Sequence, residues 1–211
     1  MEIVLSNILP HAHLIALVSN IVQKLIFYIN FILWLLPPFR QYKGGFLLYF
    51  SILAITEPVS YLLYFVLKIE PIYFYALSSL ALLITALWYT KSLQSRIMII
   101  NIVLSSIGII LFFIFKDMRL ILFLIAYLQL IIFLLFFVYT MKKLFYRNIM
   151  YSYLLFIVFY ELTVTVKFFL WILNIKTGLF LFYLLNVVEV FICVYFIIFN
   201  FKTSPRWRPK L

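Results

Sequence analysis

The chain has 211 residues, 68% of them hydrophobic, with 17 Lys and Arg against 6 Asp and Glu for a formal net charge of +11. Soluble domains are nearer half apolar, so this composition excludes a water-soluble fold. The bases fall in short gaps between apolar runs, which reads as a membrane topology signal and excludes a nucleic-acid partner.

A spanning helix needs about 20 mostly apolar residues. Seven runs meet that length: 14–36, 46–67, 72–90, 97–115, 119–141, 149–173 and 179–200. They are continuous blocks with no strand-like alternation, so a β-barrel is excluded. Pro37 and Pro38, with Gly44 and Gly45, are expected to form the first loop. Pro71 opens the third run, where a missing N–H costs nothing, and Gly178 precedes the seventh. The start has no basic stretch or small-residue cleavage site, so the first helix is expected to serve as the insertion signal and stay. The expected fold is all-α: a polytopic bundle of seven transmembrane helices forming a single domain over residues 1–211.

One set of alternate loops holds Arg40, Lys43, Lys91, Arg96, Lys142, Lys143, Arg147, Lys202, Arg206, Arg208 and Lys210 and no acid. The other holds Lys68, Lys116, Arg119 and Lys176 with Glu2, Glu70 and Asp117. This bias puts the N-terminus outside and the C-terminus in the cytoplasm, in an inner or plasma membrane. The tail from Lys202 is read as an ordinary basic cytoplasmic end, with contact to anionic headgroups as the alternative. Helices 1–3 and 5–7 would share orientation, but a three-plus-one-plus-three repeat rests on a few Leu, Ile, Phe and Tyr matches.

The informative residues are acids inside apolar runs, since a carboxyl at bilayer depth is costly and faces protein or water. Glu57 shares a helix face with Ser60, Tyr61, Tyr64 and Lys68, and Pro58 beside it predicts a kink. Glu161 shares a face with Thr165; Lys167 is turned about 120° away, so its stem is expected to snorkel to the outer interface. Glu189 lies between Asn186 and Cys193 on a polar stripe that should point inward. In the first run, Asn20, Gln23 and Lys24 form one face, and Lys24 is the expected cationic partner of a buried glutamate.

Other chemistries find little support. Cys193 is the single cysteine and has no metal-ligand spacing, and His11 and His13 lie outside the bundle, so neither a metal nor a cofactor is expected. No nucleotide loop, nucleophile elbow or metalloprotease motif occurs. The seventh run has no lysine for a retinal Schiff base.

Ile55-Thr-Glu57, followed by a tyrosine-containing helix end, a short outer turn and Ile72-Tyr-Phe-Tyr75, resembles a family of uncharacterised small bacterial seven-helix proteins. Where that family carries a polar or acidic residue in helix 3, this chain has Leu77-Ser78-Ser79. The resemblance implies a sensor-like or accessory membrane module. The residues themselves lean away from catalysis. They point to a module that binds a lipid-like small molecule or another membrane protein through Glu57, Glu161, Glu189, Lys24, Asn186 and Tyr61. A small proton-coupled transporter is the alternative, and an intramembrane enzyme the second alternative.

Overall fold

The computed structural model describes residues 25, 28–42, 45–91, 99–100, 102–104, 106–108, 110, 118–173 and 178–208. The described chain is nearly all helix: α1 (28–34), α2 (Pro37–Gln41), α3 (Leu47–Leu67), α4 (Pro71–Thr90), helical residues between 99 and 110 (α5), α6 (Met118–Arg147), α7 (Ser152–Leu173) and α8 (Gly178–Ile198). A two-residue strand β1 (Met150–Tyr151) pairs antiparallel with β2 (Arg206–Trp207).

Four of these helices, α3, α4, α6 and α7, are long and apolar enough to cross a membrane. Large apolar side chains on their outer faces, among them Leu62, Phe65 and Phe123, are more than half exposed. A water-soluble monomer does not show so much apolar surface; together these features mark a membrane protein. In α8 the stretch Tyr183–Ile198 is apolar but shorter. His11, His13, Asn20, Gln23 and Lys24 lie outside the described residues.

The helices form a ring in which α3 packs on α4, α4 on α6, α6 on α7 and α7 on α8, and α2 closes the circuit against both α8 and α3. Ala76 of α4 packs with Ile121 and Ile125 of α6, and Ser79 bonds Gln129 further along both helices. α4 and α6 therefore run parallel. α5 approaches α6, where a Cβ built on Gly108 would lie 3.4 Å from the Leu124 methyls.

One end is filled by rings. Phe46 stacks on Tyr89 at 4.4 Å between centroids, Phe50 meets Phe196 at 4.7 Å, and Tyr153 meets Phe196 at 5.2 Å. Tyr49, Phe50, Phe136, Tyr153 and Phe196 are fully buried there. Burying an aromatic ring removes 150–250 Å² from solvent, roughly, so this layer is the main packing anchor. Arg40, Lys91, Lys142, Lys143, Arg147 and Lys202 lie on element ends or turns at this same end, whereas Lys68, Glu70 and Arg119 lie at the other.

Several boundaries differ from those expected. Pro37 and Pro38 form the first turn of α2 rather than a loop, because a proline at the first helical positions gives up only an N–H without an intrahelical partner. α6 runs on past residue 141 to Arg147, since helical bonds do not require apolar side chains, and Lys143 lies over the Tyr139 ring at 5.2 Å. The next helix starts at Ser152 rather than 149. Asn148 takes a left-handed φ of 47°, and Met150 and Tyr151 pair with the tail. α8 stops at Ile198, where Asn200 Oδ1 accepts from the backbone N–H of Lys202 and Thr203 at 3.0 and 2.9 Å. α3 runs through Pro58 as one helix.

Candidate functional site

Above the aromatic layer the ring of helices encloses a partly open cavity of about 370 Å³. Helical spacing delivers its walls. α3 contributes Leu53, Glu57 and Tyr61 at four-residue steps, and α4 contributes Tyr75, Ser78, Ser79 and Leu82. α7 adds Tyr160, Val164, Lys167, Phe168 and Trp171; α8 adds Asn186 and Glu189; α1 adds Asn30, Phe31 and Trp34; α6 adds Gln129.

The polar groups form two networks. In the first, the Lys167 ammonium pairs with Glu189 Oε2 and donates to Asn186 Oδ1 at 2.6 Å, and Asn30 Nδ2 donates to Glu189 Oε2 at 3.2 Å. The Lys167 and Glu189 side chains are only 14% and 7% exposed. At that burial each charge depends on the other, because an isolated buried charge is strongly disfavoured. In the second, Gln129 Nε2 donates to Ser79 Oγ at 3.1 Å. Ser78, Thr56 and Ser60 return their hydroxyls to carbonyls of their own helices at 3.0, 2.6 and 2.6 Å. Glu57 interacts with the Tyr75 hydroxyl across α3 and α4, and Tyr75 also meets Ser60.

The wall is not saturated. Glu57 Oε2, Gln129 Oε1 and Asn30 Oδ1 are buried with no hydrogen-bond partner among the described residues. Each is an acceptor, and Gln129 is only 4% exposed. Orphaned acceptors are expensive in a low-dielectric interior, so three on one cavity are the site's most informative feature. Glu57 forms no ion pair among the described residues.

Of the residues singled out from the sequence, Glu57, Tyr61, Asn186 and Glu189 meet at this cavity. Cys193, on the face of Asn186 and Glu189, packs into the core below. Glu161 does not line it. It is fully buried and accepts a hydrogen bond from the Tyr49 hydroxyl, with Oε2 unpartnered. Lys167 departs most from expectation: it turns inward to Glu189 instead of reaching an interface, because its partner is on the adjacent helix rather than its own. Lys24 lies outside the described residues, and the cation observed in the cavity is Lys167.

Sequence reading passed over Asn30 and Gln129 and quoted Tyr75 only as part of the resemblance. Gln129 is the lone amide between Arg119 and Thr140, and Asn30 stands alone in Tyr28-Ile-Asn-Phe-Ile32. A solitary amide in an apolar run was the available signal. Among the described residues no three His, Cys, Asp or Glu side chains gather.

The arrangement offers hydrogen-bonding side chains, an ion pair and aromatic walls. No protein-family model, no curated protein and no solved structure matches the chain, so its reading rests on the residues and their geometry.

Proposed function

We propose that this is a seven-helix, multi-pass protein of a cytoplasmic membrane, N-terminus outside, acting as a non-enzymatic, sensor-like or accessory module that binds a small molecule at bilayer depth. The observation that carries this reading is a cavity lined by Glu57, Gln129 and Asn30 from three helices, each with a buried oxygen unpartnered among the described residues. Its volume falls at the small end of the range of roughly 300–1,000 Å³ for ligand pockets. The test is purification in mild detergent followed by native mass spectrometry. A bound small molecule should leave with the wild type and be reduced in the cavity-filling variant Ser79→Phe. Recovery of nothing but monomer and bulk lipid, together with no stabilisation by any compound in a thermal-shift screen, overturns the reading.

A second reading is a small proton-coupled transporter caught in one access state. It is favoured by a cavity closed at its base by the aromatic layer, and by Pro58 next to Glu57. That proline takes one backbone bond out of α3. Proteoliposomes holding a pH-sensitive dye should then pass protons down an imposed gradient, and Glu57→Gln should abolish the flux. Equal flux in Glu57→Gln, Glu161→Gln and Glu189→Gln discards it.

A further inference from the structure

We infer that the ligand of this cavity is a small organic cation, an ammonium group on a compact apolar or aromatic body. The inference rests on the binding reading above and names the chemistry it accepts.

Three observations converge. First, the residues that line the cavity carry three buried oxygens unpartnered among the described residues, Glu57 Oε2, Gln129 Oε1 and Asn30 Oδ1. A ligand toward which these side chains turn must bring donors. An ammonium carries three and no acceptor, and a carboxylate or phosphate would set acceptor against acceptor. Second, Glu57 has no ion pair among the described residues, while Lys167 is engaged by Glu189 and Asn186. A bound cation would favour the ionised form of Glu57 and supply its counter-charge. Third, the walls near Glu57 are ring-rich. Tyr61 and Tyr75 come from α3 and α4, and Phe168 and Trp171 from α7. Ring faces attract cations and accept an apolar body, which is the combination an arylalkyl ammonium needs. Gln129, at 4% exposure with its amide nitrogen already given to Ser79, fixes one acceptor in place.

A neutral polyol would satisfy the acceptors but not the charge, and an anion would satisfy neither. The assignment is therefore separable by experiment.

The probes are phenethylamine, phenethyl alcohol and hydrocinnamate, which share a ring and differ in head-group charge. Binding to the full chain in detergent at neutral pH is read from tryptophan emission, since Trp34 and Trp171 line the cavity. Phenethylamine should quench saturably and the other two should not. Glu57→Gln should weaken the amine about tenfold or more, the loss expected for one charge-assisted hydrogen bond. Gln129→Leu should weaken it by a smaller factor, and Glu70→Gln, an exposed acid away from the cavity, should leave it unchanged. Equal binding of alcohol and amine, or retained amine binding in both Glu57→Gln and Gln129→Leu, overturns the cation assignment while leaving a ligand site. Preferential binding of hydrocinnamate overturns it likewise. Silence from all three probes overturns the cation assignment, and co-purified ligand in the mass-spectrometric test then decides separately whether the binding reading also falls.

Discussion

Lys167 shows at the residue scale what a single sequence hides. Its nearest carboxyl in sequence, Glu161, is on the same helix at the wrong angle, so helical geometry alone sends the side chain outward. The carboxyl it meets, Glu189, is 22 positions on, in α8. Only the antiparallel packing of those helices brings the two together. The pair is also the sharpest test of the site's energetics. Lys167→Met should cost about 3–5 kcal/mol in unfolding free energy, because it strands a buried carboxylate. Lys167→Met with Glu189→Leu should recover most of that loss, since a buried pair replaced by apolar groups is often neutral. A double-mutant cycle by thermal or SDS unfolding measures both, and additive losses would refute the coupling. Glu57 and Glu189 were legible as inward acids from their place in apolar runs. That Glu161 would separate from them was not legible. Its partner Tyr49 lies more than a hundred residues earlier, and nothing local distinguishes a carboxyl bonded by a tyrosine from one facing a cavity.

At the scale of elements, hydropathy placed the starts of α3 and α4 well and several other helix ends poorly. α3 and α4 begin within one residue of the expected runs, because continuous apolar blocks of this length have few other solutions. The errors fall where ends are set by contacts distant in sequence. The tail is the clearest case. Ser204 is buried; its Oγ accepts from the backbone N–H of Tyr153 at 3.0 Å and lies 2.7 Å from the Tyr195 hydroxyl. Ser152 N–H donates to the Pro205 carbonyl at 3.3 Å, and the Arg206 guanidinium lies 5.4 Å over the Tyr151 ring. This basic tail is therefore a strap across the α6–α7 junction, while Trp207, 66% exposed, remains available to a membrane interface. Ser204→Ala should cost about 1–3 kcal/mol, the penalty for an unsatisfied buried donor. It should also speed hydrogen exchange at Tyr153 more than at residues of α4. Unchanged exchange at Tyr153 would show that the strap does not hold the junction.

At the scale of the whole molecule, the bases gather at the aromatic end and the cavity lies toward the other. Loop charge made that asymmetry visible in the sequence. The ring itself was not visible, because the order of helices around it depends on which faces meet. The charge bias predicts orientation directly. With Cys193→Ser as background, Glu70→Cys should react with a membrane-impermeant maleimide in intact cells, and Lys202→Cys only after permeabilisation. The opposite labelling pattern would reverse the topology and place the cavity's mouth in the cytoplasm. The closure of the ring also carries a consequence for biosynthesis. Gln41 Nε2 donates to the carbonyls of Phe196 and Phe199, both at 3.0 Å, Arg40 Nε donates to that of Ile198 at 3.2 Å, and Asn30 reaches Glu189. Polar side chains of α1 and α2 are thus made well before their partners in and just after α8. Until α8 is made, that seam stays open and flanked by unpaired polar groups, so a copy truncated before α8 would expose them.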